Sequence, residues 1–219
     1  GEMRSLVSLD GTDHGGLVAS EGSLVVAHVN DRMGTEGLRG VDLCTGDVVL
    51  DQVLGAPIEG GDVAFRNGSV VGVSPDGSRL SVWESLREET SGVATVEVGT
   101  LEVHHFLADM HPSSGGIAYL PSGAGMAGSY AMLAWRGEED EAVYLVDGSG
   151  AIVNSATAED LFGFSEDLWQ VLPALDGESL IIGGETKIAG ASLPDLEIEW
   201  VHDRVGRGSI ATAGDTRLL

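Results

Sequence analysis

Short runs of apolar and β-branched residues alternate with glycine-containing turns along almost the whole chain. Runs such as Ser23–Val29 and Tyr130–Trp135 have the length of a strand, and long stretches with helical spacing are scarce. An exception is the segment 157–162, where a threonine of the N-cap type precedes two acidic residues and predicts one helical turn. The pattern therefore predicts an all-β chain.

The same strand–turn–strand phrase occurs four times, at Gly40–Leu50, Thr95–His105, Tyr144–Asn154 and Gly190–Trp200. The apolar residue after each turn recurs at intervals of 55, 49 and 46 residues, at Val48, Val103, Ile152 and Ile198. Such a period is in the range of propeller blades. We therefore predict one β-propeller domain or propeller segment over residues 1–219, with four-stranded blades at approximately 16–55, 68–108, 115–156 and 168–202.

The two ends, 1–15 and 203–219, are predicted to contribute strands to a partial or closing blade. In one arrangement Ser5–Asp10 pairs with Arg217–Leu219 and closes a five-bladed ring, which removes exposed sheet edges. In the other, the chain is a segment of a larger propeller whose remaining blades cover the terminal sheets. The second is favoured because the chain stops inside a predicted strand.

The repeated phrase resembles a known signature, Ala-x-Asp-x-x-x-Gly-x-x-x-Trp. Its four fixed positions hold Gly40, Asp42, Gly46 and Leu50 in the first copy. On these residues the chain resembles pyrroloquinoline-quinone-like propeller repeats, and Ser74–Leu80 resembles a hairpin turn common in WD-like and lactonase-like propellers. The resemblance implies the fold and no cofactor, since quinone enzymes of this kind carry a vicinal cysteine pair and Cys44 is the only cysteine.

The formal net charge is −24, from 35 acidic and 11 basic residues, so a nucleic-acid partner is disfavoured. No apolar run is long enough to span a membrane. Lys187 is the only lysine, a bias expected of a GC-rich genome or of a salt-adapted cell. We therefore favour a secreted or cell-envelope protein, with the cytoplasm of a salt-adapted cell as the alternative. Because Gly1 is not an initiator methionine, an upstream signal or domain is expected.

Histidines give the densest group of potential metal ligands, His104, His105 and His111 with Asp109. Adjacent residues of a strand face opposite sides of the sheet, so His104 and His105 are not expected to share an ion. The glycine-rich segment around His14 is predicted to be a plain turn, because it lacks the spacing of a calcium loop. No nucleophile elbow, zinc-protease motif or phosphate loop is present.

In a four-stranded blade, the loops joining the second to the third strand emerge on the same face as the loops joining successive blades. The second-to-third loops are predicted at 30–37, 84–92 and 136–141, and they are long and acidic. The joining loops carry further acids, including Glu59, Asp62, Glu166 and Asp167. The candidate partner-binding residues on this face are Asp31, Glu36, Glu84, Glu88, Glu89, Asp109, Glu138, Glu139, Asp140, Glu159 and Asp160.

The first hypothesis for function is a non-catalytic interaction or scaffold module that binds a protein partner through this acidic face. The alternative is a channel-centred enzyme, either a lactonase-like hydrolase or a degenerate quinoprotein dehydrogenase, with calcium as its candidate ion. A third hypothesis is a structural part of a larger envelope assembly. The sequence favours the non-catalytic module, because it carries acidic loops and no catalytic motif.

Overall fold

The computed structural model describes residues 13–19, 24–30, 36–42, 47–54, 69–74, 78–86, 90–97, 103–121, 128–174, 176–204, 212–213 and 217–218. The predicted terminal strand Ser5–Asp10 lies outside these residues, so ring closure stays a prediction. The chain divides into two compact units, Gly1–Ala108 and Asp109–Leu219.

The first unit contains two antiparallel sheets in which the strands follow chain order. The strands of the first sheet are β1 (Asp13–Ala19), β2 (Leu24–Asn30), β3 (Glu36–Asp42) and β4 (Val48–Leu54). The strands of the second sheet are β5 (Ser69–Val73), β6 (Arg79–Leu86), β7 (Thr90–Glu97) and β8 (Val103–Ala108). β1 lies beside β5, so the first strands of the two sheets are neighbours.

Two sequence-based expectations for the first unit are wrong. Glu84 pairs with Gly92 inside the β6–β7 hairpin, so most of the predicted loop 84–92 is strand. Gly92 is also covered by the Phe106 ring of β8, whose Cε2 atom would lie 2.8 Å from an added Cβ. His14 lies within β1 and not in a plain turn, since β1 continues past a register shift between His14 and Gly16.

The second unit contains two further four-stranded sheets and one short helix. The strands of the third sheet are β9 (Met110–Tyr119), β10 (Tyr130–Arg136), β11 (Ala142–Val146) and β12 (Ile152–Thr157). The helix α1 (Ala158–Phe162) follows. The strands of the fourth sheet are β13 (Leu168–Pro173), β14 (Ser179–Gly184), β15 (Lys187–Ser192) and β16 (Ile198–Asp203). Two short strands, β17 (Thr212–Ala213) and β18 (Arg217–Leu218), pair with each other within the segment 203–219, which the sequence predicts to contribute strands to a partial or closing blade.

The third and fourth sheets pack face to face, with β13 next to β9 and β10. Their core contains Leu133 and Leu145 from the third sheet, Leu180 and Ile182 from the fourth, and Leu161 from α1. These side chains are almost fully buried, and each contributes roughly 1.5–3 kcal/mol by leaving water. The packing fixes the ends of both sheets, and therefore the loops at those ends.

The predicted helical turn is confirmed as α1. Thr157 is its N-cap and forms a capping box with Asp160, whose backbone N–H donates to the threonine hydroxyl at 3.2 Å. Gly163 ends the helix with φ 80°, a left-handed conformation that suits glycine. Leu161 anchors the turn in the core.

The apolar residues that define the repeat begin the fourth strand of each sheet, at Val48, Val103, Ile152 and Ile198. In the last copy Gly190 is the register partner of Trp200, and the indole covers the glycine so closely that an added Cβ would lie 2.7 Å from the Cζ2 atom. In the third copy a register shift places Asn154 opposite Leu145. The signature tryptophan therefore remains where a facing glycine leaves room for its ring.

Candidate functional site

The strands of the second unit end at two edges, which we name by their connections. The turn edge carries the described residues of the hairpin connections, 120–121, 128–129, 147–151, 174, 176–178 and 193–197. The loop edge carries Asp109 and the segments 137–141, 158–167 and 185–186. The predicted partner-binding face corresponds to the loop edge in this unit.

Three segments of the third sheet meet at the loop edge because their strands end in register. Arg136 pairs with Met110, and Ala142 pairs with Thr157. The backbone N–H of Gly137 donates to the carbonyl of Asp109 at 3.0 Å. The turn at Asp109, the loop 137–141 and the start of α1 are thereby held at the same edge.

The structure places the predicted binding residues as follows. At the loop edge, the exposed residues are Asp109, Glu138, Glu139, Asp140, Glu159 and Asp160. Asp160 also serves the helix, because its Oδ2 accepts hydrogen bonds from the backbone N–H and hydroxyl of Thr157 at 2.9 and 2.8 Å, which lowers its pKa. In the first unit, Glu36 begins β3 and Glu84 lies within β6. Asp31, Glu88 and Glu89 lie outside the described residues.

Glu141 has a structural role that the sequence did not indicate. Its Oε2 accepts a hydrogen bond from the backbone N–H of Leu168 at 2.9 Å, which ties the loop 137–141 to the first strand of the fourth sheet. Burial raises the pKa of Glu141 and the nearby Asp167 carboxylate raises it further, whereas the Leu168 N–H and the Ser113 hydroxyl lower it. The buried Oε1 accepts no well-aligned hydrogen bond within the described residues.

Glu166 makes a second tie, within the fourth sheet. Its Oε2 accepts from the backbone N–H of Thr186 at 2.8 Å and from the Thr186 hydroxyl at 2.7 Å. A Cβ on Gly184 would overlap Glu166 Oε1 and would lie 2.8 Å from the Phe162 ring. The absence of a side chain at Gly184 therefore allows the carboxylate to lie over the sheet.

The cations near the fourth sheet's loop edge are already engaged. Lys187 forms an ion pair and hydrogen bond with Asp203, which lowers the pKa of that aspartate. Arg204 donates from Nη1 to the carbonyl of Gly184 at 2.8 Å. Neither side chain neutralises Glu138 or Asp140, which make no ion pair or hydrogen bond with any described residue.

Acidic residues at the turn edge form local turns instead. Oδ1 of Asp147 accepts from the backbone N–H groups of Ser149 and Ala151 at 2.8 and 3.0 Å and from the Ser149 hydroxyl at 2.6 Å. These bonds, the hydroxyl first, lower the pKa of Asp147. Asp176 likewise accepts from the N–H of Glu178 at 2.8 Å. These two carboxylates are therefore part of the turn structure.

Two exposed aromatic side chains lie at the loop edge. Trp135 is 42% exposed at the end of β10, and Phe164 is 39% exposed just after α1. Large exposed aromatic rings are enriched in protein interfaces. The loop edge therefore combines carboxylates with apolar anchors.

The histidines alternate as predicted in β8, where His104 is exposed and His105 is half-buried. His104 Nε2 lies 3.6 Å from a carboxylate oxygen of Glu97. Within the part of the chain that the structure describes, no three His, Cys, Asp or Glu side chains are grouped to hold a metal ion. That part also contains no helix with the length and hydropathy of a membrane span.

Neither a protein-family model nor a curated protein matches the sequence. Among solved structures, the chain is similar to the Dos1 propeller, with 12% identity and a TM-score of 0.54 over 90% of this chain and 48% of that one. It is also similar to a protein of Agrobacterium tumefaciens assigned as TolB, with 13% identity and a TM-score of 0.58 over 91% of this chain and 64% of that one. The chain thus spans less than two thirds of either protein's length. At these identities the likeness shows the fold alone, and the predicted β-propeller fold is confirmed.

Proposed function

We propose that the chain is an interaction module whose loop edge in the second unit binds a basic segment of a protein partner. The observation that carries the proposal is that exposed carboxylates of the loop 137–141 without an internal partner lie at the same edge as two exposed aromatic rings. Glu138 and Asp140 have no partner among the described residues, whereas Asp147 and Asp176 each accept backbone hydrogen bonds. A carboxylate without an internal partner is available to an external cation.

The exposed aromatic rings favour a protein as the binding partner of the loop edge, rather than a diffuse layer of small counter-ions. Trp135 and Phe164 supply apolar area that a basic peptide can cover, while the carboxylates around them provide charge complementarity. Complementary charge mainly raises the association rate and favours partners of the right sign. The proposal therefore predicts binding that weakens as salt concentration rises.

The test compares two triple variants that each remove three exposed carboxylates. The loop-edge variant carries Glu138→Gln, Glu139→Gln and Asp140→Asn. The turn-edge control carries Glu178→Gln, Asp195→Asn and Glu197→Gln, all exposed in the fourth sheet's hairpin connections. Both proteins have the same formal charge, so a difference in peptide binding reports position and not net charge.

Binding is measured by fluorescence anisotropy with a labelled twelve-residue peptide that alternates lysine and serine. We expect the loop-edge variant to lose about tenfold in affinity, because each exposed ion pair contributes about 0.2–1 kcal/mol. The turn-edge control should stay within about threefold of the original protein. Equal losses in the two variants would show that the peptide responds only to total charge, and the proposal would fail.

A further inference from the structure

The exposed indole of Trp135 lies where β10 leaves the core. The five preceding residues of this strand, Tyr130–Ala134, are buried, and Trp135 and Arg136 are exposed. Its register partner is His111 of β9. The ring is therefore held by a central strand of the third sheet, and 42% of the residue remains open to solvent.

Strand alternation sets which charges share a face with Trp135. Leu133, two residues before Trp135 in β10, belongs to the core between the third and fourth sheets. Residues two apart in a strand share a face, so Trp135 is on the same face of the third sheet as this core. Arg136 is on the other face, together with Tyr144. Burial raises the pKa of Tyr144. The Glu139 carboxylate raises this pKa further, whereas the Arg136 guanidinium lowers it. Arg136 thus points away from the indole.

The face that contains Trp135 is acidic. Ala142 is the last register partner in the β10–β11 pair, opposite Ala134, so Glu141 immediately precedes β11 at the end of the pair where Trp135 follows Ala134. Glu141 accepts a hydrogen bond from the backbone N–H of Leu168, so Asp167, the preceding residue, lies beside it, and Asp167 is exposed. Among the described cations nearby, Lys187 is paired with Asp203.

We propose that Trp135 is the docking platform for an arginine side chain of the partner, with Asp167 as its carboxylate neighbour. This inference rests on the proposed function and names the residue type that the loop edge recognises. A planar guanidinium stacks on an indole face and donates to carboxylates at the same time, whereas the compact ammonium of lysine lacks this geometry. The loop edge therefore selects arginine over lysine.

The test uses two peptides of equal length and charge, one with arginine and serine alternating and one with lysine and serine. We expect the arginine peptide to bind the original protein about 5-fold more tightly. Trp135→Leu should remove this preference, and Trp135→Phe, which keeps a ring, should retain part of it. Phe164→Leu is the matched control, because it removes another exposed ring at the same edge.

A second measurement locates the contact without depending on affinity. The chain has four tryptophans, so a spectrum of the ¹⁵N-labelled indole N–H groups contains few signals. The signal absent from the Trp135→Phe protein should shift on addition of the arginine peptide, and the remaining signals should move less. Unchanged thermal unfolding of the variants shows that the fold is intact.

The two proposals fail in different ways. If both peptides bind equally and the Trp135 variants have no effect, while the loop-edge triple variant still loses affinity, the arginine inference is overturned and the proposed function stands. Equal losses in Phe164→Leu and Trp135→Leu also overturn the assignment to Trp135. If the loop-edge and turn-edge triple variants behave alike, the proposed function itself is overturned.

Discussion

At the turn edge of the second unit, Asp147 accepts three hydrogen bonds from its own hairpin, whereas at the loop edge Glu138 accepts none from the described residues. Both carboxylates occupy connections between antiparallel strands, and both are near solvent. The connections 147–151 and 137–141 are equally long, so the difference comes from local turn geometry. Asp147 stands at the start of its turn, where its carboxylate reaches the backbone N–H groups two and four residues further on. A carboxylate is therefore structural where it reaches a backbone N–H, as Asp147 does, and available where it reaches none among the described residues, as at Glu138.

Glu141 and Glu166 lie between these cases. They belong to the loop edge, but each uses one carboxylate oxygen to accept from a backbone N–H, of Leu168 and Thr186 respectively. They hold the loops in place and leave the outer acids to face solvent. The loop edge thus has a fixed inner row and an available outer row.

The largest expected effect concerns the inner row. Gly184→Ala should lower the free energy of unfolding by about 2–3 kcal/mol, because the added Cβ overlaps Glu166 and approaches the Phe162 ring. The control is Gly163→Ala, where no atom lies within 4 Å of the added Cβ and only the positive φ is unfavourable, at about 1 kcal/mol. Urea unfolding measures both. Equal effects would mean that the Glu166 tie is easily rearranged.

The next effect separates the two carboxylates directly. Asp147→Ala should cost about 1 kcal/mol, because the backbone N–H groups of Ser149 and Ala151 lose their acceptor. Glu138→Ala should change the free energy of unfolding by less than about 0.5 kcal/mol. Thermal unfolding midpoints of the two variants give the comparison. A stability loss at Glu138 as large as at Asp147 would contradict the distinction between them.

A smaller effect, below about 1 kcal/mol after solvent screening, depends on pH with opposite signs at Glu141 and Asp147. The pKa of Glu141 is raised above 4.5, so its ionisation destabilises the fold and stability is lost as pH rises through the folded pKa. Glu141→Gln should therefore gain stability relative to the original protein as pH increases above about 4.5.

The pKa of Asp147 is lowered below 3.8, so its contribution is present above 3.8 and is lost as pH falls through the folded pKa. Asp147→Asn should therefore be less stable than the original protein at pH 7 and approach it at low pH. Urea unfolding from pH 3 to 7 measures both differences. Parallel pH profiles for the two variants would remove the electrostatic contrast between Glu141 and Asp147.

The smallest expected effect is in the outer row. The loop-edge triple variant, with Glu138, Glu139 and Asp140 neutralised, should unfold within about 0.5 kcal/mol of the original protein or slightly later, since like charges repel in the folded state. Calorimetry at low salt measures the difference. A clear loss of stability would mean that these acids support the fold, and their availability for a partner would be in doubt.

The repeat was readable from the sequence because it depends on local chemistry. Val48, Val103, Ile152 and Ile198 follow turn residues, and each begins the fourth strand of its sheet. The α1 turn was also readable, because a threonine cap and acids in the first turn act within one helical turn. Strand ends depend on pairing across the sheet. The acidic residues of 84–92 predict a loop, whereas cross-strand pairing with Gly92 keeps Glu84 in β6.

By itself, the sequence determined the all-β class, the spacing of the four-stranded sheets, the acidity of the connections and the position of the helical turn, since each depends on neighbouring residues. Only the tertiary structure decided the roles of individual carboxylates. Glu141 reaches a backbone N–H 27 positions away, and Glu166 reaches one 20 positions away. The packing of the sheets decides which carboxylates form such hydrogen bonds and which remain available to a partner. Only this packing brings the distant backbone groups within hydrogen-bonding distance.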